Sequence, residues 1–209
     1  MICWIIHPTK LIIYGRRSDT PFTLIVFTSD NGPDGAVNDA LPLRGAKTWL
    51  YDGGFKEPFI AWWPGKIPQG AINNKTVVAA IDLPLVFMDV AGANLQAGVD
   101  YDGVNMTDAV LGINEPLRNK SLFWIRPPDR PGYDGIDNPD LAIRKGDYKL
   151  LMNIDGSGLQ LFDLKQDEGE NNNLVESKPD KVEELKVELI NWYDNYPPQI
   201  VKDIYNENL

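Results

Sequence analysis

With 209 residues, 43% hydrophobic and 24% charged, the chain has the composition of an ordinary globular protein, long enough for one large domain or two small ones. A formal net charge of -10 argues against nucleic acid as a partner, because affinity for a phosphate backbone needs clustered Lys and Arg. Cys3 is the only cysteine, which excludes an intrachain disulfide. The acidity is uneven, with 8 basic and 11 acidic residues up to Gly112 and 12 basic and 19 acidic after it, so an anionic ligand would be held by a local basic pocket.

Residues 1–22 begin MICWIIHPTKLIIYGRR, two apolar patches split by His7, Pro8 and Lys10. The stretch is too short and too interrupted for a membrane span. It also lacks the basic start and small-residue cleavage site of a signal peptide. His7, the only histidine, reads as incidental to function.

Thr23 to Thr28 is a continuous apolar and β-branched run ending in Ser29-Asp30-Asn31-Gly32-Pro33. Unbroken apolarity suits a strand covered on both faces, the usual state of a parallel sheet, and its polar turn would lie where open α/β sheets place ligands. Asp30 and Asn31 there offer a carboxylate and an amide carbonyl, hard oxygen donors suited to Ca²⁺ or Mg²⁺. Taken alone, Asp-Asn-Gly reads first as a plain turn, since Asn and Gly accept positive φ. Two donors would also fall short of the roughly six to eight oxygens that Ca²⁺ takes.

Lys47 follows Leu43-Arg44-Gly45-Ala46 and precedes Tyr51-Asp52-Gly53-Gly54. Glycine on both sides lets backbone approach a ligand closely, and an ammonium there could neutralise an oxyanion. A lone lysine is otherwise a solvated surface residue. Phe59 to Trp63 reads as a second short buried strand closed by Pro64-Gly65. Asp82 to Ala91 reads as a short helix capped by Asp82, with Pro84 in its first turn, and ended in the region of Gly92 and Gly98.

After Gly112 the texture changes. Ser121 to Ile125, Leu141 to Arg144, Tyr148 to Met152 and Leu159 to Asp163 are short runs separated by Gly, Asp and Asn, which predicts a small antiparallel sheet. Arg126 to Asp140, rich in Pro, Asp and Gly, is a long loop and the one candidate here for substrate specificity. Ser177-Lys-Pro-Asp180 has the form of a capping box whose Ser177 hydroxyl would accept an amide at a helix start. Val182, Leu185, Leu189 and Trp192 share one face of that helix, and Pro197 and Pro198 stop it.

The ordered series SDNGP, LPLRGAK and YDGGFKEPFIAWWPG, continuing as DLPLVFMDVAGA, YDGVNMTDAVLG, AIRKGDYKLL and LQLFDLKQDEGENNNL, resembles the formylglycine-dependent, arylsulfatase-like sulfatases of the alkaline phosphatase superfamily. The likeness runs from Thr23 to about Tyr196. It implies an α/β fold: part of an alkaline phosphatase-like sheet in 23–112, and a small antiparallel sheet plus helix subdomain in 113–209. It implies that Asp30 and Asn31 are two ligands of the active-site divalent cation, commonly Ca²⁺, and that Lys47 contacts the sulfate group. Asp52 stands where the family usually has Glu, and Arg44 is expected to organise the loop behind Lys47.

The family's C/S-x-P/A-x-R motif, whose Cys or Ser becomes formylglycine, has no match in these residues. The expectation is therefore the carboxyl-terminal portion of a sulfuric ester hydrolase, acting on a sulfated carbohydrate or aryl sulfate ester and inactive alone, with exposed apolar edges. A phosphodiesterase or phosphonate hydrolase of the same superfamily is one alternative, and a non-catalytic remnant or binding module is another. The family is periplasmic, extracellular or lysosomal, which leaves compartment open here.

Overall fold

The computed structural model describes residues 22–34, 40–126 and 138–195. Its elements run β1 (Ile25–Phe27), α1 (Asp52–Phe55), β2 (Ile60–Trp62), a 3-10 turn (Ala80–Asp82), α2 (Leu83–Val90), α3 (Thr107–Val110), β3 (Leu122–Ile125), β4 (Leu141–Lys145), β5 (Tyr148–Met152), β6 (Gln160–Asp163) and α4 (Pro179–Asn195). Two compact units result. The first takes the described residues up to Asp30 together with Lys56–Arg118; the second takes Asn31–Phe55 and the described residues from Asn119 onward.

In the first unit β1 and β2 pair antiparallel, Val26 opposite Ala61. This corrects the parallel, doubly covered strand that unbroken apolarity suggested. Both strands are short and half-buried, and Phe27 is 53% exposed, because one face packs inward while each strand has a single neighbour among the described residues. The core beneath them is Phe59, Val78, Val86, Met106, Ala109 and Val110, with Val26 and Ala61 packed against it.

Asp82 does not cap α2 through its side chain. Its carboxylate instead accepts the backbone N–H groups of Ala79 at 2.7 Å and Val104 at 2.8 Å and an Arg118 guanidinium at 2.6 Å, so it ties three segments together inside the unit. Gly92 closes the helix as expected, at φ 67°, where a residue with a Cβ is strained.

The second unit is built on the four-stranded antiparallel sheet β3-β4-β5-β6, at the places the short apolar runs predicted. Both of its faces are covered, which explains why the strands lack simple alternation. Leu141, Ile143, Leu150, Met152 and Leu161 point to one face, where Val182, Leu185 and Leu189 of α4 complete a core. Ala142, Leu151 and Phe162 point to the other, against Leu50, Tyr51, Phe55 and Trp124. Two stacked pairs lock these layers, Phe123 on Trp192 at 4.9 Å and Phe55 on Trp124 at 4.6 Å.

The helix start differs from the capping box expected. Ser177 donates its hydroxyl to the Leu174 carbonyl at 3.2 Å, and α4 begins with Pro179, whose missing N–H is no loss in the first turn. The long loop closes at its base through Arg126, which bonds Asp140 by backbone at 2.8 Å and by ion pair at 3.1 Å. Residues 1–21, 35–39, 127–137 and 196–209, with Cys3, His7, Pro197 and Pro198, lie outside the described residues. No helix among those described is long and apolar enough to cross a membrane.

Candidate functional site

Asp30 closes the stretch after β1 and is exposed, on the first unit. In the same unit Glu57 is half-buried, and its Oε1 has no hydrogen-bond partner among the described residues. Burial, and then the Asp30 charge, hold the Glu57 carboxyl above the usual carboxylate range. Two carboxylates thus raise a negative potential beside β1.

Asn31 belongs to the second unit and is half-buried. Its amide nitrogen donates to the Gly32 carbonyl at 2.9 Å, so the nitrogen end of the side chain is engaged by the local backbone. The oxygen end is the one that would ligate a cation. Gly32 is demanded by packing, since a Cβ there would lie 1.9 Å from the Gly53 carbonyl oxygen.

Lys47 rides on a loop from Arg44 to Gly54 that folds back on itself. Its N–H donates to the Pro33 carbonyl at 2.9 Å, and the Gly32 N–H donates to the Gly54 carbonyl at 2.8 Å. Those two bonds bring the Lys47 backbone alongside the turn that starts at Asn31, while the Lys47 side chain stays exposed. Thr48 follows at φ 78°, a left-handed conformation that a β-branched residue rarely adopts.

The glycines of this loop do a different job from the one the sequence suggested. A Cβ on Gly53 would meet the Arg44 and Gly45 carbonyl oxygens at 2.5 Å, and one on Gly54 the Trp49 oxygen at 2.1 Å. The close approach is backbone to backbone. Arg44 organises the loop as expected: its guanidinium lies 4.0 Å over the Tyr51 ring and donates to the Glu170 carbonyl at 3.0 Å.

Behind the loop is a charged cluster that sequence reasoning missed. Lys149 Nζ lies 2.8 Å from both Asp52 Oδ1 and Glu170 Oε1, and Glu170 Oε2 accepts the Asp52 N–H at 2.6 Å. All three side chains are at most 1% exposed. Burial pushes the Glu170 carboxyl up against the opposing pull of Lys149, and the Asp52 charge adds to the rise. The signal available in the sequence was Lys149 inside Tyr-Lys-Leu-Leu-Met, a charge in a strand apolar on both faces.

In kind, the Asp30 carboxylate and the Asn31 amide oxygen are hard donors of the type that a divalent cation takes. An apolar groove of 730 Å³ in the first unit, lined by Ile60–Pro64, Ile67–Ile72, Val110 and Gly112–Glu115 among others, includes none of Asp30, Asn31 and Lys47.

Residues 46–195 match the family model described as N-sulphoglucosamine sulphohydrolase, C-terminal. Arylsulfatase A of Bos taurus is 31% identical over 182 residues, covering 74% of this chain and 34% of that protein. A sulfatase of Formosa agariphila is 30% identical over 166 residues, covering 75% and 29%. Among solved structures, Ps i-CgsB superposes with a TM-score of 0.65 at 28% identity, over 81% of this chain and 36% of that one. The chain therefore spans about a third of the length of these relatives. On the match across most of its length, and on a fold shared with solved sulfatases, the chain belongs to the sulfatase family, with an α/β, alkaline phosphatase-like architecture.

Proposed function

We propose that this chain supplies half of a sulfuric ester hydrolase site, with Lys47 contacting a sulfate oxygen and Asp30 and Asn31 as two oxygen ligands of a divalent cation, Ca²⁺ by ligand type. The observation that carries the reading is the backbone ladder joining the Asn31 turn to the Lys47 loop. An amide oxygen and an ammonium, sixteen positions apart in sequence, are held on one scaffold by the Gly32 to Gly54 and Lys47 to Pro33 bonds. The strained Thr48 beside Lys47 supports a functional constraint there, since such strain clusters at ligand sites.

The chemistry follows from charge. A sulfate ester in hydrolysis gathers negative charge on its oxygens and on the departing alcohol, and a fixed ammonium stabilises that charge without reorganising. A divalent cation, when bound, adds Lewis-acid withdrawal at the sulfate oxygens. No residue of this chain carries the nucleophile, because C/S-x-P/A-x-R has no match in its sequence. Sulfated sugars are the favoured substrate class, in line with relatives named N-acetylgalactosamine-6-sulfatase and N-sulphoglucosamine sulphohydrolase.

The test is a calcium titration of the purified chain, followed by thermal unfolding and by the backbone amides of residues 28–34. Ca²⁺ is expected to raise Tm and to shift those amides, and Asp30→Ala is expected to abolish both effects. Equal responses of the parent chain and Asp30→Ala would sink the cation assignment. Aryl sulfate turnover is expected to be absent from the 209-residue chain, and turnover at any rate above buffer would overturn the assignment of half a site.

A further inference from the structure

The loop that carries Lys47 has two feet, and both stand on one residue. Arg44, at the entry, donates to the Glu170 main-chain carbonyl at 3.0 Å. Asp52, at the exit, donates its N–H to the Glu170 carboxylate at 2.6 Å. The Gly53 N–H then closes the loop neck onto the Arg44 carbonyl at 2.7 Å. Glu170 itself sits at φ 52°, a left-handed conformation uncommon for a glutamate, and is wholly buried. Neither its backbone conformation nor its burial is what a glutamate adopts by preference, so the surroundings must fix both.

Lys149 supplies that fixing. It arrives from β5 on the face that the loop covers, bridges the two carboxylates, and lies 4.4 Å from the Phe55 ring centroid at the end of α1. Its side chain is wholly buried and held by two carboxylates, so the ammonium is a fixed post rather than a flexible surface charge. Lys47, by contrast, has an exposed side chain, and its location is set by backbone alone. Thr48 stores strain immediately beside it. A strained segment holds its shape only while its ends are restrained.

We propose that Glu170, seated by Lys149, is the positioning residue for Lys47: it clamps both ends of the 44–54 loop and so fixes where the ammonium stands. The role assigned to Lys47 rests on the sulfate reading above; the clamp does not. Through Gly54 the same clamp reaches the Asn31 turn, because the Gly54 carbonyl accepts the Gly32 N–H. One buried residue, through its carbonyl and its carboxylate, therefore sets the spacing between the anion contact and the amide ligand.

Amide hydrogen exchange on the full chain tests this. In Glu170→Gln, the amides of Lys47, Trp49, Asp52 and Gly53 are expected to exchange roughly tenfold faster or more, with those of Ile143, Leu150 and Leu161 unchanged. Arg44→Met removes the other foot, the guanidinium bond to the Glu170 carbonyl, from an exposed position. It is expected to speed Lys47 and Gly53 while leaving Asp52 protected. Uniform acceleration across loop and sheet, or none at the loop in either variant, overturns the clamp. Titration with inorganic sulfate separates the two readings. If Lys47→Met leaves the sulfate response of the chain unchanged, the sulfate contact fails, and the exchange pattern still decides the clamp.

Discussion

Lys149→Met measures the charged cluster directly, because methionine keeps most of the apolar stem of lysine and removes its ammonium. In the parent chain one ammonium faces two carboxylates at 2.8 Å each, with all three side chains at most 1% exposed. Removing one member of a buried ion pair typically costs about 3–5 kcal/mol, since the abandoned charge can neither return to water nor find a new partner. Here two carboxylates are abandoned, which pushes toward the upper figure. The Arg144 guanidinium, close enough to feel both Asp52 and Glu170, offsets part of the loss and favours the lower one. The expected cost at pH 7.5 is therefore about 3 kcal/mol, and about a third of it should return in Lys149→Met/Glu170→Gln, which deletes one of the stranded charges.

The pH dependence has a definite sign. Glu170 already titrates above its ordinary value of 4.5, and loss of Lys149 raises it further. The folded state then holds a proton that the unfolded chain releases near its ordinary value, so stability is greatest below that value and falls as pH rises through the folded one. The gap between parent and Lys149→Met should narrow from pH 7.5 to pH 5.5. Urea unfolding followed by far-UV circular dichroism, which reports α4 in the same unit, gives both numbers. A cost under 1 kcal/mol at pH 7.5, or a gap that widens toward pH 5.5, would refute the reasoning.

Two further substitutions probe the loop and the sheet. Gly54→Ala places a methyl 2.1 Å from the Trp49 carbonyl oxygen, a backbone atom that cannot step aside, and should cost about 1–3 kcal/mol or more in urea unfolding; Gly65→Ala, in open space at φ 75°, should cost about 1 kcal/mol, and equal losses would contradict the packing account. Leu185→Ala, at 0% exposure between α4 and the sheet, should lose about 2–5 kcal/mol, whereas Val187→Ala, at 48% exposure on the same helix, should stay within about 0.5 kcal/mol; similar values for the two would mean that α4 does not dock as described.

Much of the second unit was legible before any coordinates. Short apolar runs broken by Gly, Asp and Asn marked β3 to β6, and the 3.6-residue spacing of Val182, Leu185, Leu189 and Trp192 marked the docked face of α4. The candidate site was legible as an ordered set of motifs, because strand, turn and glycine loop each have local signatures. Local chemistry misled where tertiary partners could outbid it. Asp82 was read as a helix cap, but Val104 and Arg118 claim its carboxylate. Ser177 was read as an acceptor, but its hydroxyl donates to the Leu174 carbonyl three residues back, a local competitor rather than a tertiary one.

The sequence by itself determined the family and the places of the sheet and long helix, and it nominated Asp30, Asn31 and Lys47 as the residues of the proposed site. Only the tertiary structure decided that β1 and β2 run antiparallel, that the loop glycines serve backbone contact, and that Lys149, Asp52 and Glu170 form one buried cluster. The reason is range. Periodicity records which residues share a face, but not which distant segment will cover it, and the cluster joins positions 97 and 118 residues apart. A lone charge in an apolar strand announces that a counter-charge must exist; the fold alone says where it comes from.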